Sequence, residues 1–137
     1  MATLGIDFGL KRIGLAHAGD GASLAFPGPV VTGTEEEALA KVTAEAASQG
    51  ATTIVVGLPK NMDGSESEMG ERAQAFADKL REATGAEVVM WDERLTSRQA
   101  DRAMLSGDLS RKKRKKRIDS LAAQIILQSY LDAQGRP

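Results

Sequence analysis

Cysteine is absent from this chain of 137 residues, so neither a disulfide framework nor a thiolate metal site is available. No apolar run approaches the roughly 20 residues that span a bilayer. The N-terminus enters an apolar strand without the basic flank and cleavage site of a secretory signal. We therefore expect a soluble cytoplasmic protein with no membrane partner.

Aromatic residues are also few, with three Phe, one Trp and one Tyr, and histidine occurs once. Few aromatic side chains are thus available for the bases of a nucleic acid to stack on. Recognition of a nucleic acid would rest on its backbone and its shape. His17, Trp91 and Tyr130 lie in apolar stretches and are interpreted as packing residues. The length suits one domain, residues 1–137, and is too short for two.

Charge is nearly balanced, with a formal net charge of −1, but it is unevenly distributed. Residues 111–117 are seven consecutive Lys or Arg. The rest of the chain contains 11 basic and 19 acidic residues. Such asymmetry is typical of a polyanion-binding protein with one local contact region. We expect a solvated basic loop that either orders on a phosphate backbone or serves only as surface. Its candidate contacts are Lys112, Lys113, Lys115 and Lys116.

The hydrophobic pattern predicts three meandering strands, then helix, strand, helix, strand and helices. The predicted strands cover residues 2–8, 13–18, 24–31, 53–58 and 87–91, and the predicted helices 35–48, 68–83, 98–105 and 118–133. This is the ribonuclease H order. The fold class expected is α/β, RNase H-like, with a mixed five-stranded sheet, antiparallel first three strands and helices on both faces.

Carboxylates follow two of these strands and begin the last helix. Asp7 ends the first strand, Asp92 and Glu93 end the fifth, and Asp119 lies on the apolar face of the last helix. Ligands collect at the carboxyl ends of parallel strands. Three such acids could hold two divalent ions, Mg²⁺ or Mn²⁺, for phosphodiester hydrolysis.

Each acid has an alternative interpretation. Asp7 could accept backbone N–H bonds in the hairpin turn, and Asp119 could compensate the dipole at the start of its helix. Glu93 is favoured over Asp92 as the ligand, but alternation sends the two side chains to opposite faces and the register is open.

Polar residues around the strand ends are candidate nucleic-acid contacts. Asn61 and Ser65 could form a phosphate-binding turn, with Lys60 and Arg94 as nearby charges. The alternative is an Asx-type turn that caps the next helix. Thr96 is expected to position the bound nucleic-acid strand. The cations of the first hairpin, Lys11 and Arg12, complete the set.

Four motifs, in order along nearly the whole chain, resemble those of the YqgF family, also called RuvX, of Holliday junction resolvase-like nucleases. They are Gly5-Ile6-Asp7-Phe8-Gly9 with Lys11-Arg12-Ile13-Gly14, Val56-Gly57-Leu58-Pro59 with Asn61-Met62-Asp63-Gly64-Ser65, Asp92-Glu93-Arg94-Leu95-Thr96-Ser97, and Asp119-Ser120-Leu121-Ala122-Ala123 through Leu131.

The resemblance implies an RNase H-like, metal-dependent nuclease whose acids carry over to Asp7, to Asp92 or Glu93, and to Asp119. The related RuvC resolvases place an acid on the fourth strand. Residues 54–57 of this chain contain none. By the resemblance, the acid of the fifth strand must take its place.

The family is assigned to trimming the 5′ end of precursor 16S rRNA, and some members look like junction resolvases. We therefore expect a metal-dependent endonuclease acting on structured RNA, with branched DNA as the alternative substrate. A non-catalytic nucleic-acid-binding module is a further alternative, while an ATPase or kinase would need a second domain. Resolution of a junction would favour a C2 homodimer, whereas rRNA trimming is compatible with a monomer.

Overall fold

The computed structural model describes residues 2–59, 67–95 and 111–135, and in the last segment it describes the side chains of residues 120–134. The strands are β1 (Ala2–Asp7), β2 (Arg12–Ala18), β3 (Phe26–Thr32), β4 (Ala51–Leu58) and β5 (Glu87–Asp92). The helices are α1 (Glu35–Gln49), α2 (Glu68–Thr84) and α3 (Arg111–Gly135), and a 3₁₀ turn (Glu93–Leu95) follows β5.

The five strands form one sheet in the order β3-β2-β1-β4-β5. β2 pairs antiparallel with both β1 and β3, whereas β4 pairs parallel with β1 and with β5. The predicted mixed sheet with antiparallel first strands is thereby confirmed. β1, β4 and β5 run in the same direction. Their last residues, Asp7, Leu58 and Asp92, therefore lie at the same edge of the sheet.

Alternating side chains of the strands supply two cores, one on each face of the sheet. Leu4 and Ile6 of β1 are buried with Phe76 and Leu80 of α2 in the larger core, which also includes α1. The smaller core lies under α3 and consists chiefly of Ala16, Ala18, Ala25, Val55, Ala123, Ile126 and Leu127.

Glycine at position 5 sets how closely α3 approaches β1. A Cβ at Gly5 would lie 2.7 Å from Cβ of Leu127 and 3.2 Å from the carbonyl oxygen of Ala123. Any larger residue would therefore push the helix away from the strand. The helix that carries Asp119 thus rests directly on the strand that carries Asp7.

The first two helices have capping residues at both ends. Thr34 accepts a hydrogen bond from Glu37 N–H while the Glu37 carboxylate accepts one from Thr34 N–H, a capping box. Ser67 caps α2 through Gly70 N–H. Gly50 and Gly85 end these helices in the left-handed conformation. The helix starts expected at residues 35 and 68 are confirmed.

Among the described residues, the predicted bounds agree with the structure to within two residues except at the basic run. The basic run, expected as a solvated loop, forms the first turns of α3, which begins at Arg111 instead of residue 118. Lys and Arg are good helix formers, and extending an existing helix costs no new nucleation. The third strand begins at Phe26, not Leu24. The helix expected at 98–105 and the loop at 60–66 lie outside the described residues.

Among the described helices, none has the length and hydropathy required to cross a membrane.

Candidate active site

Two acidic side chains meet at the edge of the sheet where β1, β4 and β5 end. Asp7 is the last residue of β1, and Glu93 is the first residue after β5. The two strands are separated by β4, yet the Asp7 and Glu93 carboxyl groups share a hydrogen bond. We call these two side chains the carboxyl pair.

The surroundings of Glu93 disfavour its charged form. Burial, then the charge of Asp7 and the hydrogen bond with it, and finally the charge of Asp92, raise the pKa of Glu93 from 4.5 to about 7. A carboxyl group surrounded by like charge in a partly buried position is a candidate functional group. A divalent cation between the two carboxylates would relieve this repulsion.

A glycine makes the contact across β4 possible. A Cβ at Gly57 would lie 3.2 Å from Cγ and 3.3 Å from Oε1 of Glu93, and 2.5 Å from Cδ1 of Ile126. The Glu93 side chain therefore passes over the bare backbone of Gly57 to reach Asp7. Position 57 lies in the fourth-strand segment that lacks an acid, and the carboxyl group from β5 lies beside it.

Gly57→Ala is expected to lower cleavage by up to about tenfold, because the added methyl group forces the Glu93 side chain to shift by a few tenths of an ångström and a misplacement near 1 Å can cost about 100-fold. Initial rates of metal-dependent cleavage measure the effect. Gly19→Ala is the matched control, since a Cβ there meets no heavy atom within 4 Å. Equal activity in the two variants would contradict the proposed path of Glu93 over β4.

Asp92 is engaged differently from its neighbour. Its carboxylate accepts bonds from Nε and Nη2 of Arg94, the latter at 2.7 Å, and from the Arg94 backbone N–H at 2.9 Å. Asp92 thus orients the exposed guanidinium group, whose planar fork of N–H donors suits a phosphate. This arrangement favours Glu93 over Asp92 as the metal ligand.

The donor set of the carboxyl pair fits a hard divalent cation, because carboxylate oxygens are the ligands that Mg²⁺ and Mn²⁺ prefer. Asp119 is the candidate third ligand. Its backbone lies in α3 one turn before Ala123, and its side chain lies outside the described part of the chain. Among the side chains that the structure describes, no three acidic or histidine groups stand together as a metal site.

Glu93→Gln is expected to stabilise the metal-free protein at pH 8. A carboxyl group whose pKa rises from 4.5 to about 7 on folding destabilises the fold once it is ionised, by at most about 3 kcal/mol and by less after solvent screening of the partly exposed group. Below pH 4.5 the group is neutral in both states and the cost disappears. Wild-type stability should therefore fall relative to the variant as pH rises from 4.5 to 7.

Chemical denaturation in EDTA at pH 5 and pH 8 measures this difference. Glu87→Gln is the control, since Glu87 is an exposed glutamate at the start of the same strand. If Glu93→Gln changed the free energy of unfolding equally at both pH values, the Glu93 carboxyl group would not be destabilised by its surroundings.

The candidate nucleic-acid contacts fall into two groups. Lys11, Arg12 and Arg94 are exposed at the same end of the sheet as the carboxyl pair. Lys60, Asn61, Ser65 and Thr96 lie outside the described residues. The α3 backbone carries Lys112, Lys113, Lys115 and Lys116, and their side chains are not among those described.

His17 lies away from the carboxyl pair. It pairs with Leu4 across the sheet, whereas Asp7 pairs with Gly14. Its ring stacks on the ring of Phe26, with the two ring centroids 6.1 Å apart. This position agrees with a packing role and gives His17 no part in the candidate site.

Side chains that the sequence patterns did not single out hold α3 in place. Gln128 accepts a hydrogen bond from Ala25 N–H and donates one to the Ser23 carbonyl, and Gln124 donates to the Ala25 carbonyl, each at 2.9 Å. The spacing of the two glutamines, four residues apart and so on one face of the helix, is the signal that could have identified them.

Trp91 also contacts α3, from β5 at the other end of the strand order. Its indole Nε1 donates to the Ser129 hydroxyl at 3.1 Å, and its ring contacts Tyr130 edge-on at 5.6 Å. The helix bearing Asp119 is thus held both by the segment that precedes β3 and by β5.

Solved structures share this fold. The chain resembles RuvC of Thermus thermophilus, in complex with a Holliday junction substrate and alone, with TM-scores of 0.55 and 0.52. Sequence identity is 16% in both cases, and each comparison covers 95% of this chain and at least 94% of the RuvC chain. At this identity the likeness establishes the RNase H-like fold.

Sequence comparison is more specific. A relative from Halalkalibacterium halodurans is 46% identical over 98% of both chains, and one from Myxococcus xanthus is 44% identical over all of this chain and 91% of its own. The activity proposed for both is that of a pre-16S rRNA nuclease. The RuvX family model, described as Holliday junction resolvase, matches residues 1–133. The chain therefore belongs to the RuvX family.

Proposed function

We propose that this protein is a metal-dependent endonuclease that hydrolyses phosphodiester bonds in the 5′ maturation of precursor 16S rRNA. The observation that carries the proposal is the carboxyl pair, because an acid that ends β1 and an acid that follows β5 are brought into contact at the edge of the sheet where ligands collect. The relatives' proposed activity supports the choice of substrate, and an rRNA substrate places the protein in the cytoplasm.

Asp7 and Glu93 would hold the divalent ion, with Asp119 as a third ligand. When bound, Mg²⁺ or Mn²⁺ supplies activation of a water nucleophile and neutralises charge at the phosphate. Arg94, oriented by Asp92, would bind a phosphate oxygen of the strand. Lys11 and Arg12, at the tip of the first hairpin, would hold the neighbouring backbone without reading its sequence.

The second candidate substrate is a four-way DNA junction. It is favoured by the description of the family and by the likeness to a RuvC structure that contains such a junction. A junction resolvase cuts two strands symmetrically and is expected to act as a C2 dimer, whereas removal of an rRNA leader needs one active centre.

Cleavage of a labelled RNA that carries the 5′ leader of 16S rRNA, beside a labelled four-way DNA junction, tests the proposal. Each substrate is incubated with Mg²⁺, Mn²⁺ or EDTA, with Asp7→Asn as the negative control. Metal-dependent release of the leader, abolished in the variant, is the expected result. Cleavage of the junction alone would assign the protein to the second function, and binding without cleavage of either would make it a non-catalytic module.

A further inference from the structure

A cavity of about 360 Å³ opens on the face of the sheet opposite the carboxyl pair. It lies between the β1–β2 hairpin and the helices α1 and α2, with Phe8, Ile13 and Val31 among its apolar walls. Its volume is near the lower end of the roughly 300–1,000 Å³ that small-molecule sites occupy. A single nucleotide matches this size and a duplex exceeds it.

Uncompensated positive charge lies at this cavity. Lys11 and Arg72 both line it, and neither forms an ion pair or a hydrogen bond with another residue that the structure describes. A third cation there, Lys79, is paired with Glu35 at 3.5 Å. Apolar walls combined with two available cations suit an organic group that carries an anionic end.

The aromatic wall of the cavity is Phe8, the residue that follows Asp7. Its ring packs against Phe76 in the core, with centroids 5.1 Å apart, and it remains partly accessible. Leu10, next in the hairpin and also a lining residue, is 58% exposed. A fixed aromatic ring beside an exposed aliphatic side chain is a surface on which a nucleobase can pack.

We propose that this cavity binds one nucleotide, with its base against Phe8 and Leu10 and its phosphate at Lys11 and Arg72. The nucleotide is either a free mononucleotide or an unstacked nucleotide of a bound strand, since both present the same base and phosphate. The site goes beyond the proposed nuclease activity, and it can be measured in EDTA, where no cleavage occurs.

Titration of the ¹⁵N-labelled full chain with AMP, CMP, GMP or UMP in EDTA, followed by amide chemical shifts, tests the proposal. Saturable shifts are expected at Phe8, Leu10, Val31 and Gly33. Shifts confined to α3 or to the residues around Glu93, or no saturable shift with any of the four nucleotides, would overturn it.

Two variants tie binding to the cavity. Ala75→Phe fills the cavity from an exposed helical position and should abolish the shifts. Arg72→Gln should weaken binding by about tenfold, the effect of one charge-assisted hydrogen bond. Ala83→Phe and Arg81→Gln are the matched controls on the same helix, since neither residue lines the cavity. If Ala75→Phe does not fold, Arg72→Gln decides, and wild-type affinity in that variant would overturn the proposal.

Competition distinguishes the two sources of the nucleotide. Binding of a fluorescent single-stranded oligoribonucleotide is followed by anisotropy in EDTA while the mononucleotide is added. Displacement of the strand assigns the cavity to a nucleotide of the bound strand, and unchanged strand affinity assigns it to a free nucleotide. A failure of this binding experiment leaves the cleavage assay unaffected, and the reverse also holds.

Discussion

Asp7→Asn is expected to abolish metal-dependent cleavage while leaving nucleic-acid affinity nearly unchanged. The substitution keeps the volume of the side chain and removes the negative charge that a divalent cation requires. Loss of an outer-shell partner of a metal site costs about 10–100-fold, so loss of a direct ligand should cost more. Single-turnover cleavage with Mg²⁺ and a binding titration in EDTA provide the two readouts.

Asp20→Asn is the control, because Asp20 is exposed in the turn after β2 and lies away from the carboxyl pair. Thermal unfolding in EDTA establishes that the Asp7 variant is folded. Wild-type cleavage by a folded Asp7→Asn protein would show that the proposed site is wrong.

The two acids at the end of β5, Asp92 and Glu93, should respond unequally to substitution by their amides. Glu93→Gln removes the partner of Asp7 and should be nearly inactive. Asp92→Asn leaves the carboxyl pair intact and frees Arg94 from its ion pair, so a milder loss is expected. Small and equal effects in the two variants would exclude the end of β5 from the mechanism.

Replacement of four lysines in α3 is expected to produce the largest change in binding. The proposed variant carries Gln in place of Lys112, Lys113, Lys115 and Lys116. Glutamine is chosen because the segment is helical and glutamine is a good helix former. Each phosphate contact contributes about 0.9 to the slope of log affinity against log salt on duplex DNA, so the slope should fall by up to about 3.6.

Binding titrations from low to high salt measure this slope on RNA and on DNA. The loss should be independent of sequence, because lysine contacts to phosphate position a strand without reading its bases. Lys41→Gln, at an exposed position of α1, is the control for a charge outside the proposed contact region. An unchanged slope in the quadruple variant would mean that the strand is held elsewhere, at Lys11, Arg12, Lys60 and Arg94.

The elements of the fold could be predicted from the sequence because their signals are local. The apolar runs, the caps at Thr34 and Ser67 and the glycines after the first two helices all act within a few residues. The apolar runs and the helical pattern predicted the strands and helix limits well, and their order indicated the sheet, whereas the caps at Thr34 and Ser67 were found in the structure. The basic run was misjudged because its charge suggests solvation, whereas its helical state depends on continuity with the buried part of α3.

The candidate acids were also accessible from sequence, since strand ends and a helix face can be located by periodicity alone. Their pairing was not. Whether Asp92 or Glu93 turns towards Asp7 depends on the register of β5 and on the turn after it, which a period of two leaves undetermined.

What the sequence determined by itself is the fold class, the family and the positions where acids could act. What only the tertiary structure decided is which side chains meet across distance in the chain. Glu93 reaches Asp7 because Gly57, on the intervening strand, has no side chain to block it. The cavity likewise gathers Phe8, Val31 and Arg72 from separate elements. Such contacts follow from packing between elements, and no local pattern encodes them.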